Sequence, residues 1–179
     1  RQRQMCIRDR IVHASGLPKG VFNLVHGAGG EIGQELAGNP TVGLVSLTGS
    51  EPAGRKVMEA ASRNITKVNL ELGGKAPAIV LADANLDLAA KAIVASRIIN
   101  SGQVCNCAER IYVQCEVKEV FTQKLVELMK KVRLGNPLED ETLDMGPMVN
   151  KQGQLHAQAM VDEAIKAGGR CLLGGHSVK

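Results

Sequence analysis

Apolar positions along this chain fall into short runs that alternate with segments of helical spacing. Val42–Leu47 is a nearly continuous apolar run, the kind found in a strand buried on both faces of a parallel sheet. Thr66–Leu72, Pro77–Leu81 and Arg110–Gln114 read as further strands, and Val21–Val25, after the Leu17-Pro18-Lys19-Gly20 turn, as a short one. Between them, Leu86, Ala89, Ala90, Ile93, Val94 and Ile98 recur at the 3.6-residue period and predict a helix over Leu86–Ile99, with Asp83 as its cap. Gln34–Gly38 reads as a short helix. Glu51–Ser62 reads as another, with Ser50 as N-cap and Pro52 in the first turn. Lys118–Val132, with Val120, Phe121, Leu125, Leu128 and Val132 inward, and Lys151–Ala167 complete the helices; Cys171-Leu172-Leu173 starts a last strand. Gly135–Asp144, with its acidic stretch, is a long loop. Strands alternating with helices predict an α/β fold with mainly parallel strands, Rossmann-like and with helices on both faces. The expected first and last strands lack partners, so the fold reads as truncated at both ends.

Composition sharpens this picture in three places. The apolar share of 44 % and charged share of 22 % suit a globular protein, but only Phe22, Phe121 and Tyr112 are aromatic, so the core is aliphatic. Arg1–Arg10 holds four arginines and one aspartate, and therefore most of the net charge of +4. It has neither apolar period nor turn chemistry, and reads as a disordered tail or a stretch foreign to the native sequence. Outside it there is no basic patch and no aromatic platform, which argues against nucleic acid as a partner. No apolar run approaches the roughly 18 residues of a membrane span. Five cysteines without paired spacing argue against a disulfide framework and fit a reducing, cytoplasmic setting.

Candidate chemistry gathers at four places. In Asn100–Arg110 two thiols, Cys105 and Cys107, follow a glycine where a helical pattern ends, and loops on a rigid scaffold are where nucleophiles sit. Either cysteine could equally be a small buried hydrophobe. The Cys-x-Cys spacing, with only Cys115 beyond, is not that of a zinc site, and no histidine stands in a hydrolase context. Glu71 ends an apolar strand before Gly73-Gly74. It reads as an ordinary strand-end carboxylate or as a general base whose apolar neighbours disfavour the charged form. Lys75 could pair with a nearby acid or be solvated, and the second reading is favoured. The turn Thr48–Gly54 opens a helix after a strand and suits a pyrophosphate. Gly27-x-Gly29-x-x-x-Gly33 misses the dinucleotide fingerprint, because Ile32 stands where the third glycine belongs, and reads as a tight turn or a weak phosphate contact.

In order, Leu17-Pro18-x-Gly20-Val21-Phe22-Asn23, Thr48-Gly49-Ser50, Glu71-Leu72-Gly73-Gly74-Lys75, Gly102-Gln103-Val104-Cys105, Gly135-Asn136-Pro137 and Met145-Gly146-Pro147 resemble the NAD(P)-dependent aldehyde dehydrogenase superfamily. The resemblance runs from about Ile11 to the C-terminus. Ile99–Arg110 is most similar to the bacterial branch acting on lactaldehyde and glycolaldehyde. The resemblance implies that Cys105 is the nucleophile, with its backbone N–H as half of an oxyanion hole, and that Glu71 activates the deacylating water. It implies that Gly49, Ser50 and Gly54 lie at the cofactor pyrophosphate, that Leu72 packs near the nicotinamide end, and that Gly29 contributes weakly. Cys107 receives no role, and no metal is implied. The implied cofactor is NAD or NADP, the partner a small aldehyde, and the complete enzyme a homo-oligomer. Residues 1–10 would then be the tail, 11–71 the end of the NAD-binding domain and 72–179 the start of the catalytic domain. Family segments that complete the site have no match here, so the expectation is a piece inactive when made alone. Two readings from other classes stay open: a non-catalytic nucleotide-binding module, and a cysteine acyl transferase or hydrolase without a redox step.

Overall fold

The computed structural model describes residues 2–178, with side chains from Ile7 onward. Its contacts divide the chain into two units, Arg1–Gly73 and Gly74–Lys179.

The first unit begins with helix α1 (Gln2–Ala14), where a disordered tail is expected from sequence. Arg, Gln, Met and Ile are all adequate helix formers, so a helix needs no apolar stripe to form locally. Helix α2 (Gly29–Gly38), strand β1 (Leu44–Gly49), helix α3 (Glu51–Ser62) and strand β2 (Lys67–Leu72) follow. β1 and β2 pair in parallel, from Leu44 opposite Lys67 to Gly49 opposite Leu72, and α3 is their crossover. Ser50 caps α3: its Oγ accepts from the Ala53 N–H at 3.4 Å, and Pro52 occupies the first turn, where its missing N–H costs nothing. Small residues let α2 and α3 approach closely, with Ala37, Ala60 and Ala61 buried, and Asn64 Nδ2 donates to the Gly38 carbonyl at 2.6 Å to tie their ends.

β1 departs from expectation. Val45 and Leu47 are half-buried, whereas Leu44 is exposed, because among the described residues only α3 covers the two-stranded sheet. Its open face carries Ser46 and Thr48 opposite Asn69 and Glu71. The strand expected at Val21–Val25 does not form; a lone extended run has no ladder to satisfy its backbone groups.

In the second unit, strand β3 (Pro77–Val80) pairs in parallel with strand β4 (Arg110–Val113). Helix α4 (Leu86–Ile98) and the cysteine loop connect them. Asn85, directly before the first helical residue, caps α4 through its Oδ1, which accepts from the Leu88 N–H at 3.1 Å. The expected cap, Asp83, stands too far upstream to reach that amide position. Helix α5 (Lys118–Met129) packs on α4, and helix α6 (Lys151–Lys166) is capped by Asn150, whose Oδ1 accepts from Gly153 N–H at 2.8 Å. Val80, Ala90, Ile93, Ala108 and Phe121 form the core, with Leu86, Ile111, Leu125 and Leu128 against it. Val120 is exposed rather than inward, since Phe121, one position on, takes the face turned to α4. Cys171–Leu173 forms no strand.

Phe121 is the largest fully buried side chain among the described residues. Truncation to alanine removes its transfer energy and leaves a cavity in a core otherwise made of aliphatic residues. Phe121→Ala should therefore destabilise the second unit by about 3–5 kcal/mol, read as a shift in the denaturant midpoint.

Candidate active site

The loop after α4 is shaped by backbone conformation. Asn100, Ser101 and Gly102 have φ of 47°, 57° and 75°, three successive residues in the left-handed region. Only glycine adopts it freely, so Asn100 and Ser101 hold strained conformations that the surroundings must fix. Several bonds do so. Gln103 N–H donates to the Asn100 carbonyl at 3.1 Å, and Gln103 Nε2 donates to the same oxygen at 3.1 Å. Ser101 Oγ donates to the Gly146 carbonyl at 2.8 Å, which joins the loop to Met145-Gly146-Pro147. At Gly102 a Cβ would stand 2.6 Å from Arg97 Nη2 and 3.2 Å from the Arg97 carbonyl, so the glycine makes room for that guanidinium.

The loop separates the two thiols. Cys105 is exposed, and Cys107 is 1 % exposed. A buried thiol packed as a small hydrophobe is inert, whereas an accessible one can reach a substrate. Behind them Ala108 N–H donates to Ser96 Oγ at 3.1 Å, and Glu109 N–H donates to the Ala76 carbonyl at 2.9 Å as β4 begins.

Three charged residues brace this loop, and sequence reasoning missed their association. Lys75 Nζ lies 2.5 Å from Glu109 Oε2, so the lysine read as solvated is in fact paired. Arg97 Nη1 lies 3.4 Å from Glu109 Oε1 in an ion pair without hydrogen-bond geometry, and this buried nitrogen has no hydrogen-bond partner among the described residues. Arg97 Nη2 donates to the Gly102 carbonyl at 3.4 Å. The hydrogen bond from Lys75, with the charges of Lys75 and Arg97, holds the Glu109 carboxyl below the usual carboxylate range against an opposing contribution from burial. The signal available in the sequence was a lysine just after one candidate motif and a glutamate just after the other.

In the first unit, Gly49, Ser50, Gly54 and Leu72 come together. Gly49 is the register partner of Leu72, and Gly54 is buried under it: a Cβ on Gly54 would lie 2.9 Å from Leu72 Cδ2. Gly54 thus serves close helix-to-strand packing, and the Leu72 side chain is turned toward α3. Glu71, next along β2, points to the opposite, open face and is exposed, so the apolar surroundings expected of it are not supplied within this unit. Glu51, whose carboxylate would oppose an anion at the start of α3, is paired with Arg55 at 2.6 Å. Gly49 and Ser50 are exposed there, which leaves the helix N-terminus open to a phosphate. Gly29 stands apart, at the start of α2, where Ala28 provides no side-chain cap. Gly27 faces the Ile32 side chain, as a tight turn requires.

A groove of about 400 Å3 between α4 and α5, lined by Asp87, Lys91, Lys124 and Glu127 among others, contains none of the candidate residues. Among the described residues, no group of three or more His, Cys, Asp or Glu side chains could hold a metal ion, and no helix is long and apolar enough to cross a membrane.

Comparison with known proteins agrees with the motifs. The sequence model of the "Aldehyde dehydrogenase family" matches residues 6–179. Lactaldehyde dehydrogenase of Escherichia coli (strain K12) is 55 % identical over 170 residues, which are 95 % of this chain and 36 % of that protein. The D-glyceraldehyde dehydrogenase (NADP(+)) of Picrophilus torridus is 43 % identical over 161 residues, covering 90 % of this chain and 32 % of its own. A solved structure of lactaldehyde dehydrogenase superposes with a TM-score of 0.97 at 53 % identity, covering 99 % of this chain and 37 % of that one. A 3,6-anhydro-L-galactose dehydrogenase in complex with NAP superposes at 0.91 and 41 % identity, covering 95 % and 35 %. The chain thus spans about a third of the length of the curated relatives it matches, and its parallel strands and helices are part of their fold. By motif, sequence and fold together, the chain belongs to the aldehyde dehydrogenase family.

Proposed function

We propose that this chain is the stretch of an NAD-dependent aldehyde dehydrogenase that carries its nucleophile, Cys105, and its general base, Glu71. NADP is the alternative cofactor. The substrate is a small hydroxyaldehyde such as lactaldehyde or glycolaldehyde, a reading supported by 55 % identity to lactaldehyde dehydrogenase. The observation that carries the assignment of the nucleophile is the split between the exposed Cys105 and the buried Cys107 on one braced loop.

In this reading the Cys105 thiolate adds to the aldehyde carbon, and the oxygen takes up negative charge that the Cys105 backbone N–H steadies as half of an oxyanion hole. A bound nicotinamide would supply the acceptor for the hydride that this carbon must lose. A thioester on Cys105 remains. Glu71 then takes a proton from water, the resulting hydroxide adds to the thioester carbon, and the Cys105 thiolate departs to release the carboxylic acid. Gly49 and Ser50 would hold the cofactor pyrophosphate at their open turn, where the first amides of α3 and the helix dipole favour an anion. Gly54 and Leu72 support that turn from behind, and Gly29 contributes a weaker contact. Residues 11–71 are the end of the cofactor domain and 72–179 the start of the catalytic one. The complete enzyme is a cytoplasmic homo-oligomer.

Peptide-resolved alkylation tests this reading in the complete enzyme. With iodoacetamide, Cys105 should label at least about tenfold faster than Cys107, as exposure dictates, and glycolaldehyde with NAD should protect Cys105 alone. Equal labelling of both thiols, or no protection by aldehyde, would favour a binding module whose cysteines only pack.

A further inference from the structure

The ion-pair cluster behind the cysteine loop has no part in the chemistry above, yet it touches the loop at its most strained point. Asn100 and Ser101 occupy left-handed conformations that their own side chains disfavour, so the turn persists only if its surroundings hold it. One restraint is Arg97, whose guanidinium fills the space left by the missing Gly102 side chain and donates to the Gly102 carbonyl. Arg97 is in turn set by Glu109, and Glu109 by Lys75, at 3.4 Å and 2.5 Å. Glu109 stands at the far end of the same loop, where its backbone N–H is already fixed to Ala76. One carboxylate therefore links the two ends of the segment that presents Cys105.

We propose that Glu109 is a positioning residue: with Lys75 and Arg97 it clamps the Asn100–Gly102 turn and so fixes where Cys105 stands. This rests on Cys105 being the nucleophile only for its consequence in catalysis; the clamp itself is a statement about the loop. Glu109 is the sheltered member of the pair, 21 % exposed against 57 % for Lys75, and it is the one that reaches both cations.

The test uses the complete enzyme with the variants Glu109→Gln, Glu109→Asp and Lys75→Met. Amide hydrogen exchange of the loop peptide over residues 99–106 should rise about tenfold in Glu109→Gln, the scale of a lost charge-assisted bond, while the Lys118–Met129 helix keeps its protection. In parallel, kcat should fall about tenfold with KM for aldehyde and NAD changed by less than about twofold, because the reacting thiol is displaced while binding is left alone. Glu109→Asp should recover part of both effects. Lys75→Met added to Glu109→Gln should cost no more than the larger single effect, as expected of members of one network. Unchanged exchange of the loop in Glu109→Gln overturns the clamp, as does a rise spread equally over α5, which assigns Glu109 a general role in the fold. The exchange readout needs no turnover, so it stands even if Cys105→Ala were to leave activity intact and the dehydrogenase reading failed.

Discussion

Cys105→Ala in the complete enzyme should lower kcat for aldehyde oxidation by about 10,000-fold or more, and should remove ester hydrolysis with it. The size follows from the chemistry: without the thiolate there is no covalent adduct to expel hydride and no thioester to hydrolyse, so both activities share one missing step. Cys107→Ala is the contrast. That thiol is buried and its Sγ makes only a 3.9 Å contact to the Ile99 carbonyl, so its loss should leave kcat within about threefold while lowering stability by about 1 kcal/mol or more, as for a small buried truncation. Steady-state NADH production and p-nitrophenyl acetate hydrolysis, measured on both variants, separate the two thiols. A Cys107 variant as inactive as the Cys105 variant would reverse the assignment.

Glu71→Gln should act on the other half of the cycle. The amide keeps the shape of the side chain but cannot take a proton from water, so deacylation should slow about 100- to 10,000-fold while hydride transfer is nearly untouched. A rapid burst of NADH, one per active site, should then precede a much slower steady rate. Loss of the burst itself would place Glu71 before hydride transfer, and unchanged steady turnover would remove it from the mechanism. Glu71 is exposed on the open face of β2, a position that leaves it accessible to water.

How much of this was legible in the sequence depends on whether the information was local. Helix α3 carries its own signals, a serine cap, a proline in the first turn and a stripe of small residues, and its expected limits of Glu51–Ser62 are those observed. Pro77–Val80 and Arg110–Val113 were also readable, because apolar runs bounded by turn residues mark strands whatever their partners. Val21–Val25 looked the same locally but pairs with no strand among the described residues, and pairing decides. Asp83 and Asn85 are both good caps by residue type; the helix start chose the nearer one. The disorder expected of the tail is not found over residues 2–10, because helix formation there owes nothing to an apolar stripe.

The candidate site divides in the same way. Cys105, Glu71, Gly49, Ser50 and Gly54 sit in motifs, and motifs can be seen. That Gly54 is buried under Leu72, or that Gly102 yields its space to Arg97, could not be seen, because each depends on a neighbour brought in by the fold. The Lys75–Glu109 pair is the clearest case. Nothing in either stretch names the other as its partner, and only the parallel pairing of β3 with β4 sets one beside the other.

The central claim is that Cys105 carries the acyl group while Glu71 removes it. Acid quenching of the Glu71→Gln enzyme during turnover with glycolaldehyde and NAD, followed by peptide mass spectrometry, tests both halves at once. A glycolyl thioester is expected on the peptide containing Cys105, near one per active site, with Cys107 unmodified. Acyl label on Cys107 or on another residue, or none while NADH is still being formed, would contradict the claim.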